Sequence, residues 1–212
     1  MKKLMARLPI LMILLLCMAT TEDNTKNVLI IGDSISIGYT PFIQKALAPG
    51  INVVHNPGNG GSTERGLDSI PSWVGARTWK VILFNFGLHD LVRKDSTNKY
   101  DVRGKISVPV ETYKENLNRI VSLLKPTKAT LIFVNTTMVP ENSSGRMVAD
   151  PAIYNAAALE VMTKNGIPVI DLYTASLTIH PENSKPGNVH YTDKGYELLA
   201  APLIKSINEI LK

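Results

Sequence analysis

The segment Val28-Leu29-Ile30-Ile31-Gly32-Asp33-Ser34-Ile35-Ser36 joins a wholly apolar run to a glycine turn that carries two serines. Four large apolar residues closed by glycine read as a strand buried on both faces. Comparable runs recur at 51–54, 81–86, 130–134 and 167–170. Helical patterns lie between them. Tyr113, Leu117, Ile120, Val121 and Leu124 repeat at helical spacing. Asp150 before Pro151 predicts a helix start, with the acid as N-cap and proline at the first helical position. A last helix is predicted from near Thr192 through Leu198, Leu199, Leu203, Ile207 and Leu211, with Pro202 expected to kink or break it. Strands alternating with helices predict an α/β fold, a parallel sheet covered on both faces. Two long loops follow strands, near 88–109 and 136–149, where such sheets place their ligands.

The chain has 212 residues, 44% hydrophobic and 19% charged, which suits one globular domain and excludes a disordered or collagen-like chain. Its single cysteine excludes an internal disulfide framework and a cysteine-based zinc cluster. The formal charge of +5 is concentrated at the start. Lys2, Lys3 and Arg7 precede an apolar run at 8–16 and then Cys17, Met18 and Ala19. This predicts a secretory leader over 1–19, cut after Ala19, and a domain over 20–212. The leader is too short to span a bilayer, so no stable membrane span is expected. An alternative reading makes Cys17 a lipidated N-terminus, although Leu16 is bulky for such a site. Without residues 1–19, 20 basic residues face 18 acidic ones, a balance of +2 that does not suggest a nucleic-acid partner. Composition leaves the oligomeric state open.

Several motifs are absent: HExxH, CxxC, the P-loop, the dinucleotide fingerprint and G-x-S-x-G. No metal and no cofactor is implied. The informative stretches close the apolar runs. The first run ends in Gly32-Asp33-Ser34-Ile35-Ser36, and Asn56-Pro57-Gly58-Asn59-Gly60-Gly61-Ser62-Thr63 follows the second. The third ends in Gly87-Leu88-His89-Asp90, and Gly187-Asn188-Val189-His190-Tyr191-Thr192 leads into the last helix. In a flavodoxin-like strand order, 2-1-3-4-5, the first three ends are neighbours, which brings Ser34, Gly61 and His89 to one crevice. Serine there becomes a nucleophile when a base reaches it. Backbone N–H groups at a glycine turn can bind an oxyanion, and a late histidine can be the base.

These four stretches, in this order, resemble the blocks of the SGNH (GDSL-type) esterase family. They span 32 to about 200. The resemblance implies a three-layer α/β/α sandwich around a five-stranded parallel sheet, and hydrolysis of acyl or acetyl esters on lipids or carbohydrates. It implies Ser34 as nucleophile and His190 as base, with Ser34, Gly61 and His89 as oxyanion donors. Two positions depart from the pattern. His89 stands where the family has asparagine, and a neutral imidazole still offers one N–H. Gly187 stands where the family has an acid three residues before the base. The nearest carboxylates in sequence are Glu182 and Asp193, and Asp193 is expected to serve the last helix's N-terminus. The expectation is therefore a neutral acceptor, backbone carbonyl or water, behind His190.

Other residues have plainer readings. Asp33 is expected to organise its turn through an Asx hydrogen bond, and Gly61 to supply positive φ. His89 has an alternative as a satisfied structural histidine, His180 competes with His190, and His55 reads as packing or turn structure. Trp73 and Trp79 read as core rather than sugar-binding rings, and Arg65 as an exposed helix residue rather than a substrate contact. The reading is an exported serine esterase acting on a small acyl group of a carbohydrate. Its rivals are a lipase or lysophospholipase, and a carbohydrate-binding or scaffold protein that has lost the chemistry.

Overall fold

The structure is a computed structural model that describes residues 26–212. The leader reading of 1–19, and with it Cys17, lies outside the described residues. Five strands form one sheet: β1 (Lys26–Ile31), β2 (Ile51–His55), β3 (Val81–Phe84), β6 (Thr130–Val134) and β7 (Val169–Ile170). Their spatial order is β2-β1-β3-β6-β7, every pair parallel, which is the 2-1-3-4-5 order expected. Strands in such a sheet are covered on both sides, and Val81–Phe84 is accordingly buried throughout. Phe84 lies beside Phe133 in the ladder, and their rings meet edge to face with centroids 5.3 Å apart. Burying one such ring contributes about 1.5–3 kcal/mol.

Among the described residues, six α-helices complete the sandwich: α1 (Ser34–Leu47), α2 (Thr63–Val74), α3 (Val110–Leu124), α4 (Asp150–Asn165), α5 (Leu172–Asn183) and α6 (Asp193–Leu211). Helices α1, α5 and α6 pack together, as do α2, α3 and α4. Tyr113, Leu117, Ile120, Val121 and Leu124 face the core from α3, as their spacing predicts.

The sequence-based limits shift in four places. The third run stops being a strand at Phe84. Phe86 leaves the ladder, and its ring fills the space beside Gly66, where a Cβ would come within 2.5 Å of it. The fifth strand loses Ile167, whose N–H closes the end of α4 on the Met162 carbonyl beyond Gly166. Helix α4 begins at Asp150, but Asp150 does not cap it. The capping position is Ala149, and the Asp150 carboxylate is taken by Arg93 from a distant loop. Helix α6 runs unbroken through Pro202. Proline removes one backbone bond, and the burial of Leu199, Ala200, Leu203 and Ile207 on both sides of it holds the helix together.

The two long loops meet each other. Within 88–109 lies a small antiparallel ribbon, β4 (Arg93–Lys94) and β5 (Lys105–Ile106). Arg93 N–H donates to the Gly145 carbonyl at 2.6 Å, and Arg146 Nε donates to the Leu88 carbonyl at 3.0 Å. The ribbon and the 136–149 loop thus form one wall beside the carboxyl ends of β3 and β6.

Candidate active site

The first strand delivers its turn without slack. Asp33, buried, accepts the Ile35 N–H through Oδ1 at 2.9 Å, the Asx bond expected, and caps α1. Ser34 is therefore the first residue of α1, and its N–H, preceding any helical acceptor, has no partner among the described residues. Gly32 has to be glycine, because a Cβ there would lie 2.6 Å from Ser36 Oγ. Asn56 ties this turn to the next. Its Oδ1 accepts Gly32 N–H at 2.8 Å and its Nδ2 donates to the Gly58 carbonyl at 3.0 Å. Gly60 N–H donates to the Gly32 carbonyl at 2.8 Å. Asn56 sits in a quoted motif, yet sequence reasoning gave it no role.

His190 Nε2 lies 2.9 Å from Ser34 Oγ, so the expected nucleophile and base are in hydrogen-bond contact. On the far side, His190 Nδ1 lies 2.8 Å from Asn188 Oδ1. The same Asn188 atom is 3.0 Å from the His190 backbone N–H. A backbone N–H can only donate, so the atom facing it is the amide oxygen. That oxygen then also accepts a hydrogen bond from Nδ1–H, so the ring proton sits on Nδ1 and Nε2 is bare to accept from serine. The orienting group is neutral, as expected, but it is a side-chain amide and neither a backbone carbonyl nor water. Gly187, at φ +68°, has a backbone that a side chain adopts only with strain, and a Cβ there would meet the Asn142 carbonyl at 3.1 Å. Glu182 is exposed and has no hydrogen bond or ion pair among the described residues. Asp193 opens α6, whose cap is Thr192.

His180 supports this loop from behind. Its Nε2 donates to the Asn188 carbonyl at 2.7 Å, Nδ1 meets Ser184 Oγ at 3.0 Å, and its ring packs edge-on against Tyr191. The competitor to His190 is thus a buried brace of the segment that carries His190. His55, half-buried at the end of β2, holds the Asn56 carbonyl at 2.7 Å and meets Ser36 Oγ at 2.6 Å, in keeping with a turn role. Burial pushes its pKa down.

The oxyanion side is mixed. Gly61 has the positive φ expected, +67°. Its N–H, however, donates to Asn59 Oδ1 at 2.9 Å, so this donor is engaged in the free protein. Arg65 folds back over it, its Cδ lying 2.9 Å from where a Gly61 Cβ would sit. His89 is not a satisfied structural histidine, because neither ring nitrogen has a hydrogen-bond partner among the described residues. Burial lowers its pKa; Asp33 opposes this, and Arg146, Lys94 and His190 add to it. The ring is therefore neutral near pH 7, with one N–H to give. Beside it opens a cleft of about 440 Å³, walled by Ser62, Glu64, Lys94, Tyr100 and Lys105. Trp79 is core, its Nε1 bonded to the Val74 carbonyl, and Trp73 packs against that core.

Known proteins share this arrangement of chain. A lipase/acylhydrolase from Enterococcus faecalis superposes with a TM-score of 0.72 at 22% identity, covering 87% of this chain and 96% of that one. An acetylxylan esterase from Geobacillus stearothermophilus gives 0.70 at 17% identity, covering 86% and 94%. An arylesterase of Vibrio mimicus is 24% identical over 140 residues, 61% of this chain, which spans 64% of that protein's length. The family model of the GDSL-like lipases and acylhydrolases matches residues 30–198. That match takes in the Ser34 turn, the glycine turn, His89 and the His190 loop, and the chain belongs to the GDSL-like lipase/acylhydrolase family.

Proposed function

We propose that the protein is an exported serine esterase that removes a small acyl group, chiefly acetyl, from a carbohydrate hydroxyl. The observation that carries this reading is the continuous chain Ser34 Oγ, His190 Nε2, His190 Nδ1, Asn188 Oδ1, with links of 2.9 and 2.8 Å. In the first half-reaction Ser34 Oγ attacks the ester carbonyl and its proton passes to His190 Nε2. The carbonyl oxygen becomes an oxyanion, faced by Ser34 N–H, by the N–H of neutral His89, and by Gly61 N–H once Asn59 releases it. Collapse breaks the carbonyl carbon–alkoxide bond, and the leaving alcohol takes the proton from His190. Water then repeats the sequence on the acyl-serine, releasing the acid and restoring Ser34.

The small acyl group and the sugar alcohol have separate support. The cleft beside His89 is walled by hydroxyls and charged side chains, which suit a hydroxylated ligand better than a long acyl chain. Two of the proteins sharing the fold act on acetylated xylan or its oligosaccharides. Export draws on Lys2, Lys3, Arg7 and the apolar run at 8–16, with Cys17 as the alternative lipid anchor.

A series of p-nitrophenyl esters from acetate to laurate tests the reading. The expected result is highest kcat/KM on acetate, together with acetate release from acetylated oligosaccharide. Rates that rise with chain length make it a lipase-type esterase instead. Sugar binding without any turnover makes it a scaffold.

A further inference from the structure

Asp90 follows His89, is fully buried, and has no part in the mechanism above. Its Oδ1 accepts two hydrogen bonds from Thr63, the N–H at 2.9 Å and the hydroxyl at 2.5 Å. Thr63 opens α2, two residues after Gly61, and Asn116 of α3 steadies it by donating to its hydroxyl at 3.0 Å. Asp90 is equally fixed along its own backbone. Its N–H donates to the Gly87 carbonyl and its carbonyl accepts Val108 N–H, both at 2.9 Å. One side chain thus joins the turn carrying Gly61 to the turn carrying His89.

Asp90 Oδ2 is buried with no hydrogen-bond partner among the described residues. A charged carboxylate left half-unsatisfied away from water is far more costly than the neutral acid. The groups around it do not favour charge either. Glu64 of α2 and Asp33 at the cap of α1 are acids, while Tyr113 of α3 and Tyr154 of α4 are phenols whose own burial keeps them protonated. We propose that Asp90 is a positioning residue that works as a neutral carboxylic acid, clamping the two oxyanion-donor turns together through Thr63 without placing negative charge beside the oxyanion. Burial, outweighing the Thr63 hydrogen bonds, pushes its pKa up to about 7, so the working form is held up to neutral pH.

The kinetic half of this inference rests on the esterase reading; the structural half does not. Asp90→Asn keeps the Oδ1 acceptor and cannot ionise, whereas Asp90→Ala removes the clamp. In wild type, kcat should fall as pH rises through about 7 and Asp90 ionises. Asp90→Asn should hold its kcat on the alkaline side, within about threefold of the wild-type maximum, whereas Asp90→Ala should lose about 30-fold or more in kcat with little change in KM. Two measurements need no turnover. Carbon NMR of the Asp90 carboxyl should titrate near 7, and amide exchange at Thr63 should accelerate in Asp90→Ala but not in Asp90→Asn. If Asp90→Ala does not fold, Asp90→Asn and the NMR titration carry the test. An alkaline limb retained in Asp90→Asn, an Asn variant as slow as the Ala variant, or a carboxyl titrating below about pH 5 overturns the inference. If the wild type cleaves no ester, the esterase reading fails alone, and NMR and exchange still decide the role of Asp90.

Discussion

Asn188 meets His190 with an oxygen and no charge. An amide there sets the tautomer and holds the ring, but it adds little to the imidazolium that forms when Ser34 gives up its proton. Two opposite outcomes follow at this position. Asn188→Ala should lower kcat/KM by more than tenfold, within the roughly 10⁴ that a tautomer-setting partner can be worth. Asn188→Asp should raise it, because the carboxylate accepts the same two N–H bonds and stabilises the imidazolium as well. Glu182→Gln and Asp193→Asn should stay within about twofold of wild type, since neither carboxylate orients His190. Steady-state kinetics on acetate esters checks all four, and an Asn188→Ala enzyme as fast as wild type removes the amide from the mechanism. The role of Asn188 was nearly legible in the sequence. Asparagine commonly bonds the backbone two residues on, and Asn188-Val189-His190 has that spacing. A neutral acceptor is what the sequence leads one to expect behind His190, and a side-chain amide two residues away meets that expectation as well as a backbone carbonyl or water does. At Gly187 a φ of +68° makes any side chain strained, so an acid is disfavoured at that position.

At the scale of elements, an ion pair ties the cleft wall to α4, beside the hydrogen bonds from Arg93 and Arg146 that join its two loops. Arg93 on the β4–β5 ribbon reaches Asp150 at the start of α4, and their side chains are only 17% and 9% exposed. Asp150→Ala leaves a largely buried guanidinium without its partner, a change that costs about 3 kcal/mol. Because the pair holds the wall and touches no reacting atom, KM should rise more than kcat falls. Urea unfolding and kinetics on the same variant test both statements, and unchanged stability contradicts them. The ribbon itself could not be read from sequence. Strands of two residues carry no period, so 88–109 reads only as a long loop. The α4 start was placed correctly from Asp150-Pro151, but a local capping rule cannot foresee that a distant arginine claims the carboxylate. Pro202 failed as a breaker for a similar reason, since buried contacts on either side of it outweigh one lost backbone bond.

For the molecule as a whole, the sheet order and the approach of the Ser34, Gly61 and His89 turns were legible because their blocks close buried runs, whereas the meeting of Ser34 with His190 was implied by the resemblance of the four blocks. A parallel sheet then fixes which ends are neighbours. The buried charge balance was not legible, because burial of Asp90 depends on α2, α3 and the 87–90 turn together. It has a consequence for stability. The folded pKa of Asp90, about 7, lies above its ordinary value of 3.8, so between them the folded chain holds more protons than the unfolded chain. Its contribution is full below the unfolded value and is lost as pH rises through about 7. Asp90→Asn should therefore gain in Tm relative to wild type between pH 4 and 7, with no further gain above, and a difference independent of pH contradicts this. Everything in the proposed chemistry turns on Ser34 as the nucleophile that His190 activates. The sharpest measurement is covalent labelling with a small alkyl phosphonate ester, followed by peptide mass mapping. A stoichiometric adduct is expected on Ser34, lost in Ser34→Ala and slowed by orders of magnitude in His190→Ala. An adduct on Ser36 or elsewhere, or a Ser34→Ala protein that still hydrolyses acetate esters at the wild-type rate, would contradict it.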